Sequence, residues 1–281
     1  MNTSTTTSAK NTSGHTADRN FDDLADRFER KVYGGLKGEI RLAAIWRDLQ
    51  ALVPEINSSK KLRILDIGGG LGQIAVKLAT LGHHVDYNDL SKEMLLKAQK
   101  LATEHGVADK MGWYHCAYQE LQQQLLQESP QQLPEQRRHY DLVLCHALAE
   151  WLADPTSLVP TLKTFIADKG HLSLTFYNRH SLVYRNLIRG NFRVLEGDFE
   201  ADANSLTPTQ PLDPQVMLKK VNDSGLKLLN SSGIRVFTDY VTTMRGGHTD
   251  SQSVIDKELE YSLLEPYKWL GRYIHLIASK G

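Results

Sequence analysis

One stretch constrains this chain more than any other: "LRILDIGGGLGQ", residues 62–73, an apolar run that meets four glycines in five positions. Leu62, Ile64, Leu65 and Ile67 leave no polar face, so the run reads as a central strand of a parallel sheet. The glycines end it sharply and open a helix, Gln73 to Leu81. Glycine there permits positive φ and lets a ligand come close to the backbone. The pattern then repeats. "HHVDYND" is a strand, Ser91 N-caps the helix "SKEMLLKAQKLATEHG", and "MGWYHC" and "YDLVLCH" are strands with a short helix between them. A helix-rich stretch through Phe165 and the strand "GHLSLTFYN" follow. Strand, helix, strand at this spacing specifies an α/β fold, a parallel sheet with helices on both faces.

The flanks differ. Residues 1–17 are Ser/Thr-rich, with neither an apolar core nor arginines, and are expected to be a disordered tail, not a leader. Residues 20–55 space apolar residues at three and four, giving helices separated at Gly34 and Gly35. Between Gln122 and His139 a Gln-rich segment with two prolines reads as a surface loop. "LLNSSGIRVF" and "RYIHLIAS" are late strand candidates. With 281 residues, 41% of them hydrophobic, the chain can bury a sizeable core. No run of eighteen apolar residues exists, which excludes a membrane-spanning helix on length. Zero net charge does not favour a nucleic-acid binder, although a local basic patch is compatible with it. Two cysteines, Cys116 and Cys145, with no CxxC or HExxH, argue against a metal site and a disulfide framework. A cytoplasmic location is expected.

Two ligands compete for the glycine turn. A dinucleotide fingerprint can be laid on Gly70, Gly72 and Ala75, with Asp89 at the distance for a ribose. Against it, Asp66 puts a carboxylate where a pyrophosphate would sit. A carboxylate suits instead a ligand whose nearby end is cationic. S-adenosylmethionine carries an ammonium and a sulfonium and no phosphate, so Asp66 favours it.

"LDIGGGLG", "NDLSKEMLLKA", "YDLVLCHALAEWLADP" and "ADKGHLSLTF" resemble the successive motifs of class I methyltransferases. The resemblance implies a Rossmann-like fold: a mostly parallel seven-stranded sheet with helices on both faces and an N-terminal helical cap. It also divides the chain into a tail, 1–17, and one methyltransferase domain, 18–281. Within that domain it sets a helical cap, 18–58, a cofactor-binding core, 60–178, and substrate-binding helices with the last strands, 179–281. Cys116 and Cys145 then lie on strands separated by others and cannot pair. The implied S-adenosylmethionine contacts are Arg41, Asp66, Gly68, Gly69, Asp89, Tyr118, Gln119 and His146. Asp89 takes the ribose hydroxyls. Cys116 replaces the aspartate that many relatives use for the adenine amine, which leaves adenine to backbone and Gln119.

Outside the core, "DRNFDDLADRFERKVYGGLKGEIR", "YNRHSLVYRNLIRGNF", "GIRVFTDY" and "EPYKWLGRYIHLIASK" resemble bacterial enzymes that methylate 5-carboxymethoxyuridine in tRNA, over roughly residues 18–280. The implied reaction converts the carboxylate of that wobble nucleoside to its methyl ester. A carboxylic acid with a pKa of about 4 is already ionised at neutral pH, so no catalytic base is needed. None is assigned. The implied partner is the tRNA anticodon stem-loop, with no metal and no membrane. Residues 177–193, "YNRHSLVYRNLIRGNFR", carry four arginines among aromatics, a composition suited to phosphates and unstacked bases. Arg185, Arg189 and Arg193 share a helical face provided Gly190 does not end the helix. "EGDFEAD", just after, would repel a tRNA backbone unless it points away. The candidate acceptor residues are Tyr177, His180, Arg185, Arg189, Arg235, Arg272 and Tyr273. For strand residues, Arg272 and Tyr273 belong to opposite faces. A methyltransferase acting on a small carboxylate or a quinone precursor is the alternative.

Overall fold

A computed structural model describes residues 17–128, 139–196, 206, 208, 210–241, 248 and 250–281. The tail through residue 16, the Gln-rich residues 129–138 and most of "EGDFEAD" lie outside the described residues.

Seven strands form one sheet: β1 Arg63–Ile67, β2 His84–Asp89, β3 Met111–His115, β4 Tyr140–His146, β5 Ile166–Tyr177, β6 Leu226–Ile234 and β7 Tyr273–Lys280. Their order is β3-β2-β1-β4-β5-β7-β6. Neighbours pair in parallel from β3 to β5, whereas β7 runs antiparallel to both β5 and β6. The fold is the expected one. The chain leaves β1 for β2 on one side and returns to β4 on the other, which opens a crevice at the carboxyl ends of β1 and β4.

Each face of the sheet has its own core. The Leu36–Leu52, Gln73–Thr80 and Lys92–Glu104 helices bury Ile45, Leu49, Leu78 and Ala98 against Ile64, Leu142 and Leu144. The Leu121–Glu128, Leu158–Phe165 and Pro214–Asp223 helices cover the other face, burying Leu125, Leu162 and Met217 against Leu65, Val143 and Leu174. β1 and β4 alternate between the two cores, which is why neither shows a polar face in the sequence.

The Gln-rich segment departs from the expected loop, because its first part is helical. Leu121 and Leu125, four apart, give Leu121–Glu128 a buried stripe. Ser91 caps the Lys92–Glu104 helix as expected, its Oγ accepting from the Met94 N–H at 3.2 Å. Cys116 and Cys145 are both free and buried. No helix among the described residues is long and apolar enough to cross a membrane.

Candidate active site

A cavity occupies the crevice at the ends of β1, β2 and β4. Its walls include Asp66, Gly68, Gly69, Gly70, Asn88, Asp89, Tyr118, His146, Arg41 and Tyr273. The glycine turn forms the floor. A Cβ on Gly69 would run into the Tyr87 ring, and Gly70 holds φ at 58°. Tyr87 in turn donates its hydroxyl to the Gly70 carbonyl, and the Gly69 N–H donates to the Asn88 carbonyl at 3.0 Å. The turn is thus tied to the end of β2.

Asp89 supports that arrangement and still faces the cavity. Its Oδ2 accepts from the Gly70 N–H at 2.9 Å and its Oδ1 from the Ser91 N–H at 2.8 Å. Each oxygen keeps acceptor capacity for a ligand hydroxyl. Asp66, one strand away, is buried, and its Oδ1 makes no hydrogen bond among the described residues. Burial pushes the Asp89 carboxyl up to about 6, against the pull of the two amides. Burial and then the charge of Asp89 push Asp66 up to about 7. Two buried carboxylates that burial makes costly to ionise suit a ligand that brings a cation and hydroxyls to them.

Arg41 reaches the cavity from the Leu36–Leu52 helix, its guanidinium lying over the Tyr273 ring at 4.1 Å and near Tyr33 at 5.8 Å. Tyr118 lines the cavity, its hydroxyl 3.3 Å from Ser157 Oγ. The chain before the first helix closes the top. Asp18 accepts from the Ala153 N–H at 2.8 Å, and the Phe21 ring meets Trp151 edge to face at 4.9 Å. Gln119 stands at the cavity's edge. Its side chain is exposed and donates at 2.9 Å to Asp18, which lines the cavity, so it holds the covering segment.

Beyond Tyr273 lies a second, basic cluster. Arg235 Nη2 sits 2.7 Å from Asp239 Oδ2, Arg272 Nε 3.8 Å from the same oxygen, and Lys37 Nζ 3.5 Å from Oδ1. Burial would raise the Asp239 carboxyl, but Arg235, Arg272 and Lys37 hold it below its ordinary value. Arg272 also lies over the Tyr177 ring at 4.8 Å. Tyr177 and Tyr273 pack at 5.8 Å, so the register that separates Arg272 from Tyr273 still brings both beside one ring. The Nε atoms of Arg235 and Arg272 and the Tyr177 hydroxyl are buried without a hydrogen-bond partner among the described residues. Arg235 holds φ at 61°, a left-handed conformation that costs a side-chain-bearing residue about 1 kcal/mol or more. Glu258 fixes the loop behind it by accepting from the amides of Val236, Phe237 and Thr238.

The remaining acceptor candidates scatter. His180 is half-buried at the first turn of the Arg179–Ile188 helix, where Asn178 caps its N–H at 2.9 Å. Arg185 is half-buried and feels Arg272 and Asp239. Arg189 is exposed and donates to the Asp239 carbonyl at 3.1 Å. The shared arginine face is not formed. The helix stops at Ile188, Gly190 takes φ 67°, and Arg193 belongs to a separate short helix, Phe192–Leu195. That end of the molecule instead exposes Val183, Tyr184, Leu187, Ile188 and Phe192, with Arg189 and Arg193 beside them.

Sequence reasoning missed Asp239 and Glu150. Asp239 stands four residues after Arg235, a spacing that could have flagged an ion pair. Glu150 is fully buried, and burial pushes its carboxyl up to about 7 in spite of Arg41 and Arg272 nearby.

Comparison with known proteins identifies the family. The methyltransferase-domain profile matches residues 38–207. The tRNA 5-carboxymethoxyuridine methyltransferase of Escherichia coli strain K12 is 39% identical over 264 residues, covering 94% of this chain and 97% of its own. The chain belongs to the tRNA 5-carboxymethoxyuridine methyltransferase family. Similarity to the ubiquinone biosynthesis O-methyltransferase of Aeromonas salmonicida is partial, 33% over 46% of this chain and 48% of that one. In fold, the chain is similar to magnesium protoporphyrin IX methyltransferase from Synechocystis PCC 6803, solved with bound SAH. The TM-score is 0.57 at 15% identity, covering 93% of this chain and 96% of that one. The methyl donor of this family member is S-adenosylmethionine. Its ammonium and hydroxyls fit the unpartnered Asp66 oxygen and the free acceptor capacity of Asp89.

Proposed function

We propose that this enzyme methylates the carboxylate of 5-carboxymethoxyuridine at the wobble position of tRNA, reading the anticodon stem-loop and releasing the methyl ester. The full-length similarity to the Escherichia coli enzyme carries this reading. The basic cluster beyond Tyr273 supports it. Two buried guanidinium Nε–H groups and one tyrosine hydroxyl have donors to give, and a carboxylate is the group that accepts them.

S-adenosylmethionine, when bound, supplies an electrophilic methyl group. A carboxylate oxygen of the acceptor would take that methyl carbon, leaving the electron pair of the carbon–sulfur bond on sulfur. No proton moves, so the chain needs no general base. Its residues position instead. Asp66, Asp89 and the glycine turn hold the donor at the acidic end, with Arg41 over Tyr273 at the boundary. Arg235, Arg272 and Tyr177 orient the acceptor carboxylate. Asp239 shares their charge, which keeps the arginines from binding the carboxylate so tightly that it ceases to be a nucleophile. The exposed aromatic and aliphatic residues of 183–192, flanked by Arg189 and Arg193, suit unstacked bases and phosphates of the loop.

Incubation of the protein with S-adenosylmethionine and tRNA bearing 5-carboxymethoxyuridine, followed by nucleoside mass spectrometry, tests the reading. Conversion to the methyl ester is expected. No conversion, with donor binding verified separately, would reject this acceptor and bring forward a small carboxylate or a quinone precursor.

A further inference from the structure

His146 closes β4 and lines the donor cavity, and its Nε2 lies 2.8 Å from Ser173 Oγ of β5. The chain of contacts does not stop there. Ser173 Oγ lies 2.8 Å from His275 Nε2 of β7, and His275 Nδ1 lies 2.8 Å from Asp48 Oδ2 of the Leu36–Leu52 helix. Register puts His146 opposite Thr175, Thr175 opposite His275, and His275 opposite Ser232. All these side chains therefore share one face of the sheet. Ser173, His275 and Asp48 are buried. Ser232 also donates to Asp48 Oδ2, while Arg47 Nη2 holds Asp48 Oδ1 at 2.6 Å. None of these residues but His146 touches the cavity.

Counting donors and acceptors assigns the protons. Asp48 is ionised: His275, Arg47 and Ser232 hold its carboxyl below the ordinary value in spite of burial. It can only accept, so His275 Nδ1 carries a hydrogen. A second hydrogen on His275 would add a net positive charge to a buried group in which Arg47 already balances Asp48. His275 Nε2 is then a lone pair and accepts from Ser173. Ser173 has spent its hydrogen and accepts from His146 Nε2–H. Burial, with the charge of Arg41 adding to it, keeps His146 neutral. Its remaining nitrogen, Nδ1, is left as an acceptor and makes no hydrogen bond among the described residues.

We propose that Asp48, His275 and Ser173 form a positioning relay that locks His146 in the Nε2–H tautomer, so that an uncharged acceptor faces the donor cavity. The consequence is electrostatic. A cationic ligand centre is met by a lone pair, where the other tautomer would meet it with an N–H and an imidazolium with like charge. The relay favours the sulfonium over the neutral thioether product, whatever the methyl acceptor is.

The geometry also supplies a way to invert the relay. In Asp48→Asn, the donors of Arg47 keep the amide oxygen on their side, and the amide NH2 turns to His275 Nδ1. Each hydrogen along the chain then reverses, and His146 must present Nδ1–H to the cavity. Nitrogen-15 NMR of the histidine-labelled, ligand-free enzyme reads this without any turnover. The wild type is expected to show His146 protonated at Nε2, and Asp48→Asn at Nδ1. Titration should show S-adenosylmethionine weakened about tenfold in the variant, with S-adenosylhomocysteine changed less than about twofold, the worth of one reversed hydrogen bond. Ser173→Ala breaks the chain with a smaller change and serves if Asp48→Asn does not fold. It should give a mixture of tautomers and the same selective loss. His146 protonated at Nδ1 in the wild type, an unchanged tautomer in the variants, or equal weakening of both ligands would overturn the relay.

Discussion

The two ends of the active site handle buried charge in opposite ways. At the donor end, Asp66 and Asp89 form no ion pair among the described residues, and burial pushes their carboxyls up to about 7 and about 6. At the acceptor end, a single carboxylate, Asp239, stands among Lys37, Arg235 and Arg272 and is held below its ordinary value. Arg41 and Tyr273 mark the border. The donor end is built short of positive charge and the acceptor end short of negative charge. Each deficit matches what its ligand brings: a cationic cofactor in one case, an anionic nucleophile in the other. A site for two uncharged ligands would have no reason to bury such unbalanced groups.

Removing the basic end should have the largest effect. Arg272→Met is expected to lower kcat/KM for the tRNA about 100-fold or more, while S-adenosylmethionine affinity measured by calorimetry stays within about twofold. Asp89→Asn should do the reverse: donor affinity falls about tenfold or more, and tRNA binding measured without donor is unchanged.

The pH dependence sharpens the contrast without mutation. Carboxyls raised in the folded state make the ligand-free protein bind more protons than its unfolded chain. Asp66 and Asp89 therefore take stability away as pH climbs from about 4 to about 7. Asp239, lowered when folded, adds stability above the ordinary carboxylate range and loses it only as pH falls through its depressed value. Thermal melts should show the ligand-free enzyme losing stability between pH 5 and 7 on account of the donor end. Saturating S-adenosylmethionine should reduce that slope, because the ligand's cation favours the ionised carboxylates, and calorimetry in two buffers should detect proton release on binding.

The smallest effect concerns the outer rim. Arg185→Ala with Arg189→Ala should weaken tRNA binding several-fold and reduce the slope of log affinity against log salt by about 1 to 2. An unchanged salt slope would leave the exposed residues of 183–192 as plain surface.

These contrasts explain what could be read ahead of the structure. The sheet, the glycine turn, the Ser91 cap and the Asp66–Asp89 pair were legible because each depends on residues close in sequence, where periodicity and turn chemistry act. The shared face of Arg185, Arg189 and Arg193 was conditional on Gly190, and the condition fails locally: the helix stops at Ile188 and Gly190 turns left-handed. The contact of Gln119 was illegible for a distant reason. Its amide meets Asp18, 101 residues away, and no spacing encodes that contact. The same holds for His275 on Asp48, 227 residues apart, and for Arg272 beside Asp239 and Tyr177. Charge matching between remote segments is decided by the topology, after the strands are in place.

The most direct test of the two-ended site asks whether its basic end reads the acceptor's charge. Affinity should be measured for an anticodon stem-loop carrying 5-carboxymethoxyuridine and for the same stem-loop with the carboxylate replaced by its carboxamide. The wild type should prefer the carboxylate about tenfold or more, and Arg272→Met should lose most of that preference. Equal affinity of the wild type for both, or a preference that survives intact in Arg272→Met, would contradict the assignment of the basic cluster to the acceptor.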